Sequence, residues 1–180
     1  MTDISAHFSA LPRAASAYRV GRVPACGAAR RSGRVPPPRA SSEPKVPGVG
    51  TAWTEFTWQE GGLFLRQYSD TEPIPPTTPN AWRDNAPFPT TALIGLDDAT
   101  EEFTMLYADA RGVHRVYRMT LDGGVWKLWR GAPRFNQRFT GTLSPDGDTV
   151  DGQWEMSTDG TTWNLDFELT YTRVRDAARP

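Results

Sequence analysis

An antiparallel up-and-down β-barrel is the fold that this chain of 180 residues predicts. Three observations carry the prediction. Apolar and polar residues alternate with a period of two along most of residues 51–174, which marks strands with one buried face. Turn signals built on Gly and Asp separate these stretches at short intervals. No amphipathic helix of ordinary length intervenes, so parallel strands would lack their crossovers. A sandwich or a barrel satisfies this pattern, and a meander that rolls up removes its own edges.

The first 50 residues stand apart. They hold eight Arg or Lys against Asp3 and Glu43, a net of +6, whereas residues 51–180 hold twelve basic and nineteen acidic residues, a net of −7. Pro, Gly, Ala, Ser and Arg dominate residues 1–50, and apolar periodicity is missing except around Tyr18, Arg19 and Val20. Such a segment buries too little surface to offset its ordering entropy, so it reads as mostly disordered. Rival readings are an Arg-rich, acid-poor transit peptide, a nucleic-acid contact through Arg30, Arg31, Arg34 and Arg39, and GC-rich DNA translated in a wrong frame. No aromatic residues interleave with that arginine cluster, which weighs against nucleic acid.

From residue 51 the strands begin. TAWTEFTW and GLFLRQYSD flank the turn QEGG and set Phe56, Trp58, Leu63 and Leu65 on one face. Residues 71–89, rich in proline, can form neither a central strand nor a regular helix. An irregular loop of that length is uncommon and is often a lid or a binding loop. Ile74, Trp82 and Phe88 give it side chains to pack down with.

TTALIGLD (90–97) and EEFTMLYAD (101–109) follow, then the hairpin GVHRVYRMTLDGGVWKLWRG (112–131). A two-residue turn at Asp122-Gly123 or Gly123-Gly124 puts Arg115, Tyr117, Met119, Leu121, Trp126, Leu128 and Arg130 on one face. His114, Val116, Arg118, Thr120, Val125, Lys127 and Trp129 fall on the other. FNQRFTGTLS (135–144) and TVDGQWEMS (149–157) flank PDGD. In TWNLDFELTYTR (162–173), Trp163, Leu165, Phe167, Leu169 and Tyr171 alternate with Asn164, Asp166, Glu168, Thr170 and Thr172. This makes about nine strands between residues 51 and 174, with a short tail at 175–180. Trp58, Tyr117, Trp126, Trp154, Trp163 and Phe167 are the aromatics expected to face inward.

The overall net charge of −1 exerts no pull towards nucleic acid or anionic membrane, and neither is an expected partner. Cys26 is the single cysteine, so an internal disulfide and a cysteine-based zinc site are excluded. No apolar run approaches the ~20 residues that span a bilayer, and no apolar signal-peptide centre is visible. A cytoplasmic location is the expectation.

Residues 55–174 carry a resemblance. EFTWQEGGLFLRQYSD, NAPFPTTALIGLDDATEEFTMLYADARGVHRVYRMTLDGGVWKLWR and RFTGTLSPDGDTVDGQWEMSTDGTTWNLDFELTYTRV resemble a bacterial domain family of unknown function. Its members look like calycins, the group of lipocalin and fatty-acid-binding barrels. The resemblance implies that fold and no established activity. Members usually start with a short helix and a first strand around a Gly-Glu-Trp-like motif, which residues 1–50 lack. Closure must then come from elsewhere, with Ala17–Val23 as the candidate, or an edge stays free for a homodimer. One neighbouring calycin-like group binds haem through a histidine late in the barrel. Here the only histidines are His7 and His114, and the closing strand has none, so haem is disfavoured and no cofactor is implied.

Candidate site residues follow from the inward face. Arg115 and Arg130 form the cationic end of an aromatic surface with Tyr117 and Trp126. An arginine fork suits a carboxylate. Its alternative is a wet position at the rim or pairing with Asp or Glu. Gln67, Gln137 and Tyr107 are candidate polar contacts in a pocket that Trp154 and Trp82 help to line. His114 reads as a surface residue and the acidic pairs at 97–98 and 101–102 as a solvated turn that fails the calcium-loop pattern. No nucleophile elbow or phosphate loop occurs, and no metal site is expected.

The leading expectation is a barrel that binds a small, mainly apolar molecule, with an acidic head group as the sharper version. Its rivals are an isomerase or cyclase using Tyr117 or Tyr107 as an acid near an arginine, and a non-catalytic module that dimerises through a sheet edge.

Overall fold

The computed structural model describes the backbone of residues 16–21 and residues 52–73, 76 and 83–174. Nine strands run as one antiparallel meander through residues 52–174. They are β2 (Ala52–Gln59), β3 (Phe64–Thr71), β4 (Thr90–Asp97), β5 (Glu102–Asp109), β6 (His114–Asp122), β7 (Val125–Arg130), β8 (Asn136–Leu143), β9 (Thr149–Ser157) and β10 (Asn164–Val174). A tenth strand, β1 (Ser16–Gly21), pairs with both β10 and β2 and closes the barrel. The all-β meander predicted for residues 51–174 is therefore present, and its curl agrees with a calycin-like architecture.

The closing strand falls where the sequence offered a candidate for closure. Ser16–Gly21 is a strand that overlaps Ala17–Val23. Its backbone pairs with two neighbours at once. Every described strand then has a partner on both sides, so the free edge expected to support a homodimer is occupied. The remainder of 1–50, Ile74 and Trp82 of the long loop, and the tail 175–180 lie outside the described residues.

Tight turns gather at one end of the barrel, which we call the floor. The β6–β7 turn there is Gly123-Gly124, with Asp122 opposite Val125 and both glycines at positive φ (56° and 76°). A two-residue turn of this kind needs positive φ at both central positions, so glycine takes both. Either register considered for this hairpin gives the same two faces. Tyr117, Met119, Trp126 and Leu128 are buried, while His114, Val116, Arg118, Thr120 and Lys127 are exposed.

The floor is packed around Phe139, which is 1% exposed. Its ring lies over Gly141 and Gly152, which face each other across β8 and β9. A Cβ at Gly152 would sit 2.5 Å from that ring, and one at Gly141 would sit 2.8 Å from it. Two missing side chains thus create the recess that Phe139 fills. Trp126 and Trp154 pack beside it, with ring centroids 5.0 and 5.2 Å from Phe139.

Two strands depart from simple alternation. Leu63, expected on the inner face, sits in the β2–β3 turn and is 56% exposed. In β10 the register shifts between Leu165 and Phe167, so two residues oppose one on β9. This β-bulge changes which side chains face in. Leu165 becomes 57% exposed, and Asp166 turns to the cavity. Trp163, expected inside, lies under the guanidinium of Arg138 at 4.3 Å, beside the Arg138–Glu155 ion pair. Phe167, Leu169 and Tyr171 remain on the inner face.

Candidate functional site

The mouth is the opposite end, where residues 83–89 meet the connections 110–113, 131–135 and 158–163. A cavity of about 340 Å³ leads from it towards the floor. Its walls are mostly apolar, with Ala92, Met105, Leu128, Phe139, Trp154 and Phe167 among them. Trp154 holds the middle of the wall, 5.6 Å from the Tyr117 ring and 6.4 Å from that of Phe167.

Three polar side chains converge near the mouth. Tyr117 Oη donates to Gln137 Oε1 at 2.7 Å, and Arg115 Nη1 donates to the same oxygen at 3.4 Å. That oxygen being occupied, the amide N–H groups of Gln137 and the remaining guanidinium N–H groups of Arg115 are left as donors. Arg115 rests on the rings of Phe135 at 4.7 Å and Tyr107 at 5.8 Å. It forms no ion pair with a carboxylate among the described residues. Burial raises the pKa of Tyr117, and the cations Arg115 and Arg130 partly oppose that rise.

A second network holds the rim. Tyr107 Oη donates to Asp109 Oδ2 at 3.0 Å, and Arg111 grips the same oxygen through Nη2 at 2.6 Å. The Asp109 side chain is fully inaccessible to solvent. Burial on its own would raise the Asp109 pKa, but hydrogen bonds from Arg111 and Tyr107 outweigh it and hold the carboxyl below its ordinary value. Burial, then the nearby Asp109 charge, pushes the Tyr107 phenol far above its ordinary range. Arg111 Nη1 also reaches Asn85 O at 3.2 Å, and Ala110 N donates to Pro87 O and Pro89 O at 3.1 Å. These bonds fasten residues 85–89 across the mouth, with Phe88 packed against the core.

Deeper inside, Thr54 Oγ1 and Ser69 Oγ share a hydrogen bond of 2.8 Å. Below them stand Gln67, Trp126 and Tyr171. The Gln67 amide donates to Tyr171, whose pKa is nonetheless pushed up to about 12 because burial is the larger effect. Gln67 Oε1 and Trp126 Nε1 are buried without a hydrogen-bond partner among the described residues.

Of the predicted site residues, Gln67, Tyr107, Arg115, Tyr117, Trp126, Gln137 and Trp154 line this one cavity. Arg130 does not line it. It stacks behind Tyr117 at 5.9 Å and Phe135 at 6.0 Å, so it buttresses the wall. Trp82 lies outside the described residues. Sequence reasoning missed Thr54, Ser69, Phe135 and Asp166, which also line the cavity. Thr54 and Ser69 share the inward parity of Phe56 and Leu65, and Phe135 shares that of Gln137 and Phe139, so a signal existed for these three. For Asp166 there was none, because the bulge that turns it inward leaves no mark in the alternation.

No family model and no curated protein matches the chain. No helix among the described residues is long and apolar enough to cross a membrane. No group of three or more His, Cys, Asp or Glu gathers into a metal-binding set among them.

Proposed function

We propose that this protein is a calycin-like cytoplasmic barrel that binds a small, mainly apolar molecule carrying an acidic head group. The carboxylate would lie at Arg115 and Gln137, with the apolar body among Met105, Leu128, Trp154 and Phe167. One observation carries the reading. A half-buried arginine stands at the top of an aromatic cavity with donors to spare and no carboxylate partner among the described residues. Guanidinium groups are costly to desolvate unless a partner compensates, and a ligand carboxylate would do so.

Calorimetric titration with decanoate tests the proposal. Arg115→Ala is expected to weaken binding by about 10- to 100-fold, the loss of a charge-assisted hydrogen bond. Unchanged affinity would remove the carboxylate from the reading. Native mass spectrometry of protein purified from its own host should also reveal a co-purified small acid.

The enzymatic alternative uses Tyr117 or Tyr107 as an acid. Both phenols already donate, to Gln137 and to Asp109, and both have raised pKa values. Neither is poised to give up its proton near neutral pH. Turnover lost in Tyr117→Phe with binding retained would restore that alternative.

A further inference from the structure

The inner end of the cavity holds two polar atoms that the head-group reading does not use. Gln67 Oε1 is an acceptor and Trp126 Nε1 is a donor, and each is buried without a partner among the described residues. Both residues line the cavity. They sit together on its inner wall. Gln67 lies opposite Phe56 in the β2–β3 register, and the Phe56 ring is 6.2 Å from that of Trp126. Tyr171, to which Gln67 donates, has its ring 6.1 Å from that of Trp126.

Buried polar groups in native proteins nearly always have partners, and an exception needs an explanation. A wholly apolar ligand would leave this acceptor and this donor unsatisfied. A hydroxyl answers both, because one O–H group donates once and accepts through its lone pairs. The terminal torsion of a glutamine is soft, so a small turn presents Oε1 to the cavity. Trp126 is held by Phe139 and Phe56 and fixes the direction of its N–H.

The spacing sets the ligand's length. Gln137 pairs with Arg130 at the head-group level, and Trp126 lies four residues further down β7. At ~3.3 Å per residue this is roughly 13 Å, the length of an extended chain of about ten carbons. We infer that the inner cavity is a second polar subsite that selects acids carrying a hydroxyl at the far end of the apolar body. The inference rests on the head-group reading and adds to it a chemical class, a hydroxylated medium-chain acid.

A matched pair of probes tests it in the intact wild-type chain. Decanoate and 10-hydroxydecanoate are titrated calorimetrically under one buffer. The hydroxy acid is expected to bind at least about fivefold tighter, although its tail is the less hydrophobic one. In Gln67→Met/Trp126→Phe, with folding verified by circular dichroism, that preference is expected to vanish or reverse. Trp126→Phe alone, which keeps a ring and removes the donor, is expected to shrink it and serves if the double variant does not fold. Equal binding of the two acids by wild type, or tighter binding of decanoate, overturns the inner subsite and leaves the head-group reading standing. A preference that survives in the folded variants overturns its assignment to these residues. Binding of neither acid overturns both readings together.

Discussion

The floor and the mouth of this barrel are built from different materials. At the floor, tight turns join the strands and one phenylalanine fills a recess left by two glycines. Shape does most of the work there, and charge enters only beside the β8–β9 turn, where Arg173 pairs with Asp148 at 3.5 Å. At the mouth, an arginine rests on two aromatic rings, a second arginine grips a buried aspartate, and a loop is tied across by backbone hydrogen bonds. Those groups are expensive to desolvate and contribute little close packing. Under the head-group proposal, stability and recognition lie at opposite ends of one axis, so each can be altered with limited damage to the other.

The sharpest break would come at the floor. Phe139→Ala should cost about 3–5 kcal/mol of unfolding free energy, read from urea denaturation. The residue is almost fully buried, and its neighbours are flat walls that cannot collapse onto the space. At the mouth the order reverses. Arg115→Ala should leave unfolding within about 1 kcal/mol of wild type while decanoate affinity falls by about 1.5–3 kcal/mol. A large loss of stability in that variant would erase the proposed separation.

Asp109 gives a pH-dependent test. Its folded pKa lies below its ordinary value, so the folded state favours the charged carboxylate. Its contribution to stability is therefore complete above the unfolded value of about 3.9 and is lost as pH falls below that through the folded pKa. Asp109→Asn should lower stability by about 1 kcal/mol at pH 7. In denaturation curves that difference should start to close below about pH 4 and vanish only as pH falls through the folded pKa. The smallest effect is expected for Arg130→Ala, which removes a cation behind the Tyr117 and Phe135 rings and a hydrogen bond to Tyr117 from outside the cavity. Decanoate binding should weaken by about two- to fivefold, the value of an exposed cation–π contact.

Most of the wall was legible because alternation and turn chemistry agree. The β6–β7 hairpin shows this best, since a glycine pair fixed the turn and the turn fixed both faces. Tyr117, Trp126 and Arg115 fell on the inner side for that reason. The β10 strand shows where alternation misleads. Its pattern from Trp163 to Tyr171 is clean, yet one bulge moves Leu165 out and Asp166 in. A bulge is a decision of pairing geometry, made between two strands, and no single-strand pattern records it. Arg130 illustrates a second limit. Parity placed it on the inner face correctly, but whether a long side chain reaches a cavity or lies behind a ring depends on its neighbours. The closing strand β1 was legible only as a candidate around Tyr18 and Val20, because six residues in an Arg- and Pro-rich context carry a short pattern.

That closing strand has a consequence for biosynthesis. β1 is the first of the described strands in chain order, and its partner β10 is the last. A ribosome releasing this polypeptide from its N-terminus therefore exposes a sheet with unsatisfied rims until β10 has emerged. The last of the described strands to emerge is the one that pairs with the first, and the nascent sheet closes only then.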